Sequence, residues 1–221
     1  MSSEHLVSAG LVSEEGHSAR LAGVVICSAD LDHDIGVFSA ISGATSQLMA
    51  HRNPGSPDAA VFVVGDARLS IAGSTDGENA VRRGIERLVI EVNDLEVTAH
   101  ELARAGAKIE RFEDALLISR QWAGVLVEVR GQRTEDDKAF GAADVVLDHV
   151  AILVDDVPGM ADRWAVITGG PPAHSGVHPL GTSIAAVSAV GARLVDQPPH
   201  IIVHPSDASG VPVQLTPRVH H

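Results

Sequence analysis

One β-α-β-β-β pattern starts three times along this chain, and that repetition restricts the fold more than any other feature. In the first unit, LAGVVICSAD from Leu21 is short, apolar and β-branched, the mark of a buried strand. Asp30 can cap the helix that follows, on which Leu31, Ile35, Phe38 and Ile41 share one face, and Gly43 suits its stop. TSQLMAH and AAVFVVGDARLSIAG read as strands, with Gly65-Asp66 as a turn. After the polar connection STDGENAVRRG the pattern restarts. GIERLVIEVND is a strand, Asn93 or Asp94 caps a helix with Leu95, Ala99 and Leu102 on one face, and Gly106 stops it. KIERFED, ALLISRQ and GVLVEVRG supply three more strands. A charged linker, QRTEDDKAFGAAD, precedes the third start. There DHVAILVDD is a strand, Pro158 suits a first helical turn, Met160, Ala161, Trp164 and Ile167 form an apolar face, and Gly169-Gly170 ends the helix.

The first and third units align without a gap, His149 standing 126 residues after Gly23. VVICSADL then faces VAILVDDV, ISG faces ITG, Ala59-Ala60-Val61 faces Ala185-Ala186-Val187, and Val64-Gly65 faces Val190-Gly191. Shared register over that length marks a repeated unit. GVLVEVRG (124–131) also matches GVPVQLTP (210–217), but between Asp196 and His200 there is no room for a further strand and helix. The third unit therefore reads as one module closed by a terminal hairpin. The expected organisation is a polar tail over 1–19, a paired βαβββ lobe over 20–132, a linker over 133–146, a truncated βαβββ lobe over 147–217 and a tail over 218–221.

Charge narrows the partners. The 221 residues carry 16 basic and 29 acidic side chains, a net charge of -13. Such a surface repels phosphate backbones and anionic lipid, so neither nucleic acid nor membrane is expected as a partner. An anionic substrate would need a local basic pocket. The lone Cys27 excludes an intramolecular disulfide and a Cys-rich zinc site. The first twenty residues carry acids and lack an apolar core, and no apolar run reaches the length of a membrane span, so the expected location is cytoplasmic.

Tandem βαβββ units resemble the vicinal oxygen chelate superfamily, which includes glyoxalase I, methylmalonyl-CoA epimerase and extradiol dioxygenases. GIERLVIEVNDLEVTAHELARAGAKI and IIVHPSDASGVPVQLTP are similar to the opening and closing segments of the epimerase-like branch, and LDHVAILVDDV to the first-strand signature. The resemblance covers most of residues 20–217. It implies an α+β fold of tandem βαβββ modules forming open, cup-shaped mixed sheets, the second lobe truncated, with a divalent metal ion in the cup.

In that family the metal ligands come from first and last strands. His149 matches a first-strand position, which Gly23 and Arg87 occupy in the first two modules; Glu128 matches the last-strand carboxylate, and Gln214 replaces it at the chain's end. The resemblance thus implies His149, Glu128 and Gln214 as a sparse metal set, Glu128 alternatively as the catalytic base, and Arg87 as the group that neutralises an anionic substrate. The implied chemistry is Lewis-acid stabilisation of an enolate as an α-proton leaves: an isomerase or lyase acting on a small carbonyl or acyl substrate.

Plainer readings stand beside these. His149 is an edge residue, Glu128 a solvated residue on the outer face, Gln214 a neutral pocket residue and His204 a turn residue. Trp122 and Trp164 are core, and Asp32-His33-Asp34 is a solvated cluster in a first helical turn. The gaps at Gly23 and Arg87 fit a non-catalytic module that binds or sequesters a small molecule, or a degenerate structural partner. Three and a half modules leave an edge uncovered, which points to a homodimer or to packing of the third unit on the second.

Overall fold

The computed structural model describes residues 19–49, 59–73, 84–112, 114–132, 150, 157–170, 201–203 and 213–215. Eight strands form one open mixed sheet. In the first unit they are β1 (Arg20–Ser28), β2 (Gln47–Met49), β3 (Ala59–Val64) and β4 (Ala67–Gly73); in the second, β5 (Gly84–Val92), β6 (Ile109–Phe112), β7 (Ala115–Ile118) and β8 (Leu126–Gly131). Their order is β2-β3-β4-β1-β5-β8-β7-β6. β1 is parallel to β4 and β5 to β8, while β1 and β5 join the two units antiparallel at the centre. This is the α+β fold of paired βαβββ units that the sequence implies.

The helices form where capping and periodicity place them. α1 (Leu31–Ser42) starts at Asp30, whose side chain accepts from the His33 amide, and ends at Gly43, in the left-handed conformation that glycine adopts without strain. α2 (Leu95–Arg104) starts at Asp94, not Asn93; its carboxylate accepts from the amides of Glu96 and Val97. A short turn of helix, α3 (Arg120–Ala123), interrupts the expected strand run after β7.

Alternation along the central strands divides the sheet into two faces. Ala22, Val24 and Ile26 of β1, Phe62 of β3, Ile71 of β4, Leu88 and Ile90 of β5, and Val127 and Val129 of β8 are buried with Phe38 of α1 and Leu102 of α2. That is the core. The opposite face carries Val25, Arg87, Val89, Glu91, Leu126, Glu128 and Arg130, brought side by side by the register.

The third unit contributes α4 (Val157–Thr168), β9 (Ile201–Val203) and β10 (Val213–Leu215). β9 and β10 pair antiparallel, as the terminal hairpin requires, with Gln214 opposite Ile202. α4 packs on α2 and α3 of the same chain. Trp164 donates its indole N–H to the Ala123 carbonyl at 3.1 Å, Arg163 reaches the Trp122 carbonyl, and Ile167 is 1% exposed within the core. The first strand expected for this unit lies outside the described residues apart from Val150. No helix among the described residues is long and apolar enough to cross a membrane.

Candidate functional site

The site is built on β5 and β8, the two parallel strands of the second unit that lie nearest the first. Arg87 opposes Leu126, Val89 opposes Glu128 and Glu91 opposes Arg130. These residues share one face, because a strand turns alternate side chains to the same side. Four of the six (Arg87, Glu91, Glu128 and Arg130) are charged, in strands that are otherwise apolar on their helix side. Placing a carboxylate and two guanidinium groups on a half-buried surface costs solvation unless they satisfy one another.

They do. The Glu128 side chain is only 4% exposed, and each of its oxygens faces a different arginine: Oε2 forms an ion pair with Arg87 Nη1 at 2.9 Å, and Oε1 accepts a hydrogen bond from Arg130 Nε. The two arginines lie on opposite sides of the carboxylate and are more open, Arg87 at 34% and Arg130 at 40%. Arg87 Nε is buried and has no hydrogen-bond partner among the described residues. Two cations around one anion leave the triad one positive charge in excess, on a chain whose net charge is -13.

A second charged group continues the face. Glu91, its side chain 1% exposed, accepts from Arg20 Nη2 at 2.6 Å and from Arg20 Nε at 3.0 Å. Arg20 also reaches Asp66 at the β3–β4 turn. Burial works against the Arg20 charge, but the hydrogen bonds and attraction of Glu91 and Asp66 outweigh it and hold the guanidinium above its usual value. Here one arginine spans two carboxylates, with both Arg20 contacts to Glu91 made at Oε2. Farther along β1, the half-buried Cys27 donates to Glu86 at 3.4 Å.

Gly23 sits on the same face, at the position that resembles a first-strand ligand site. A Cβ there would lie 2.9 Å from the Arg68 carbonyl oxygen and 3.6 Å from Val89 Cβ. The close approach of β4 admits a side chain only if the backbone of a neighbouring strand shifts. The gap in the first unit is thus a property of the strand packing, and the sequence alone could not reveal it.

Of the residues singled out in the sequence, Arg87 and Glu128 come together. Glu128 is not on a solvated outer face: it is buried on the face opposite the helices. The backbone of Gln214 is placed in β10, and His149 lies outside the described residues. Arg130 was missed. The alternating pattern GVLVEVRG puts it two residues after Glu128, on the same side of the strand, and that spacing was the available signal. Asp34, expected to be solvated, is 4% exposed and accepts a hydrogen bond from Ser28 Oγ, because the helix start folds back over the end of β1.

The donor chemistry bears on a metal ion. Among the described residues no three His, Cys, Asp or Glu are grouped to hold one. Both Glu128 oxygens are already paired with guanidinium groups, so a divalent ion at this carboxylate would have to displace an arginine and stand beside two like charges. The described residues, as arranged, do not fit a divalent ion at Glu128. A separate cleft of about 190 Å³ lies between Val97 and Thr98 of α2 and Ile167 and Thr168 of α4. Its one carboxylate, Asp94, is already engaged in capping α2.

No protein-family model matches the chain, and no curated protein does. Among solved structures, similar folds occur in Streptomyces coelicolor methylmalonyl-CoA epimerase in complex with 2-nitronate-propionyl-CoA, at 17% identity over 52% of this chain and 95% of that one, TM-score 0.42. Methylmalonyl-CoA epimerase from Mycobacterium tuberculosis is similar at 22% identity over 61% of this chain and 98% of that one, TM-score 0.41. A catechol 2,3-dioxygenase is similar at 14% identity over 66% of this chain and 54% of that one, TM-score 0.48.

Proposed function

We propose that the open face of the sheet receives a small carbonyl or acyl compound and that the chain acts on it as an isomerase or lyase through an enolate-like intermediate. One observation carries this reading: Arg87, Glu128 and Arg130 form a charged group with a positive excess on a face that no described helix covers. Loss of an α-proton leaves negative charge on a carbonyl oxygen, and a guanidinium fixed beside that oxygen stabilises the transition state without reorganising. Arg87 is the group for this task. Glu128 holds it in place, and acts as a base only if it gives up one arginine. His149 and Gln214 remain the residues proposed for a divalent ion, with Glu128 completing the set only if an arginine leaves it.

Incubation in D₂O with 2-oxo acids and 2-substituted malonyl thioesters, followed by proton NMR, tests the reading. Exchange at the α-carbon that is lost in Arg87→Met is expected. Absence of exchange across the panel would count against catalysis.

The second reading is a non-catalytic sequestering module. It is favoured by the engagement of both Glu128 oxygens, which leaves no uncommitted base at the triad. Binding of a small molecule without exchange would support it. We also propose a homodimer, for which light scattering showing only a species of chain mass would be the contrary result.

A further inference from the structure

We infer that Glu128 is a positioning residue that holds Arg87 and Arg130 as a two-guanidinium clamp for one carboxylate group of the ligand. The inference rests on the reading that the open face takes a small molecule, and it goes further by naming the ligand's chemical class and assigning a role to Arg130.

The argument begins with donors. An arginine offers five N–H bonds. Arg87 sets Nη1 against Glu128 as an ion pair, and its Nε is buried; the rest of its guanidinium edge belongs to a side chain 34% exposed. Arg130 spends Nε on Glu128, which leaves its two terminal nitrogens on a side chain 40% exposed. Among the described residues, both groups therefore keep donors without a hydrogen-bond partner. Because they bind the two oxygens of one carboxylate, they are held within a few ångströms of each other.

Charge supplies the second step. Two adjacent guanidinium groups repel, and within the triad Glu128 offsets one of the two charges, while Glu91, opposite Arg130 in register, is engaged by Arg20. A second carboxylate placed across the open edges would complete an alternating arrangement of two cations and two anions. Planar guanidinium groups match carboxylate geometry, and charge-assisted hydrogen bonds of this kind are the strong ones. The neighbouring group gives an internal contrast: Arg20 already spans two carboxylates, Glu91 and Asp66. Apolar side chains beside the clamp (Val25, Val89, Leu117 and Leu126, aligned by register) suit the short carbon skeleton of such a ligand.

Glu128 would thus be neither a metal ligand nor a base in the resting site. Its negative charge opposes an incoming anion, while its geometry prepares the two arginines for it. Those effects have opposite signs, and the sign is what an experiment reads.

Calorimetric titration of the full chain with malonate, and with chloride as a non-directional anion, tests the clamp. Malonate should bind the parent protein, and Arg87→Met or Arg130→Met should each weaken it about tenfold or more. Arg130→Lys, which keeps the charge and loses the fork, should also weaken it. In Glu128→Gln malonate should bind more weakly although the site has become more positive, and its preference over chloride should fall. Circular dichroism on each variant establishes that it is folded, and Arg130→Lys carries the test if Glu128→Gln is not. No malonate binding by the parent, an unaffected Arg130→Met, or a Glu128→Gln protein that binds malonate as tightly as the parent or more so would overturn the clamp. The two proposals fail separately. Malonate binding with this pattern but no α-proton exchange leaves the clamp and removes catalysis; exchange without malonate binding does the reverse.

Discussion

Replacing Gly23 by alanine adds a single methyl group, and the structure fixes the sign of its effect. Gly23 lies in β1, with β4 on one side and β5 on the other, so β1 cannot retreat from one neighbour without pressing on the next. The new Cβ would sit 2.9 Å from the Arg68 carbonyl oxygen, a backbone atom of β4 that cannot rotate away. Forcing extra carbon into a packed site costs about 1–3 kcal/mol. Against this, Gly23 does not have a positive φ, and removing a glycine from the unfolded chain returns about 0.4–1 kcal/mol. The net expectation is a loss of about 1–2 kcal/mol, equivalent to a fall in melting temperature of about 2–8 °C for a chain of this size. Urea unfolding followed by circular dichroism measures it, with an unchanged slope showing that the unfolded state is not the cause. A Gly23→Ala protein as stable as the parent, or more stable, would refute the steric account of why this position carries no side chain.

Three further outcomes follow from the geometry. Arg20→Met removes the guanidinium from Glu91, whose side chain is 1% exposed, and should cost about 3 kcal/mol; this is the lower end for a broken buried pair, because Arg20 is itself 28% exposed. Arg20→Met combined with Glu91→Leu should recover part of that loss in the same unfolding assay, and a double variant worse than the single would contradict the pairing. Asp94→Ala removes the acceptor for the Glu96 and Val97 amides and should cost about 1 kcal/mol, with faster hydrogen exchange at those two amides in NMR. The Arg111 hydrogen bond, with its charge, holds the Glu96 carboxyl below its ordinary value of 4.5. Its contribution to stability is therefore present above pH 4.5 and lost as pH falls through the lower folded value, and NMR titration of Glu96 should return to the ordinary midpoint in Arg111→Ala.

Local chemistry made much of the fold legible in advance. Asp30, Gly43 and Gly106 mark helix ends through capping and backbone freedom that depend on a few neighbouring residues, and those marks hold. Strand alternation identified the second-unit strands for the same reason: the period of two is a property of the chain itself. α3 was not legible, since its four residues follow a strand pattern without a break and its Trp122 and Ala123 carbonyls are engaged by α4, 41 residues away. Asp34 also misled, because its composition reads as solvated while Ser28, six residues earlier, supplies the donor that allows burial.

The candidate site divides along the same line. The sequence, through its resemblance, pointed to Arg87 and Glu128 at first- and last-strand positions, and its alternation carried the signal, not picked up, that Arg130 shares a side with Glu128. It also determined that an acidic chain needs local positive charge to hold an anion. Only the tertiary structure decided that these three side chains meet, that both Glu128 oxygens are taken, and that Gly23 is closed by the Arg68 carbonyl. The physical reason is range. Caps and alternation depend on residues within a few positions of one another, whereas the partner of a buried charge is set by the register between β5 and β8, strands separated by a helix and a hairpin.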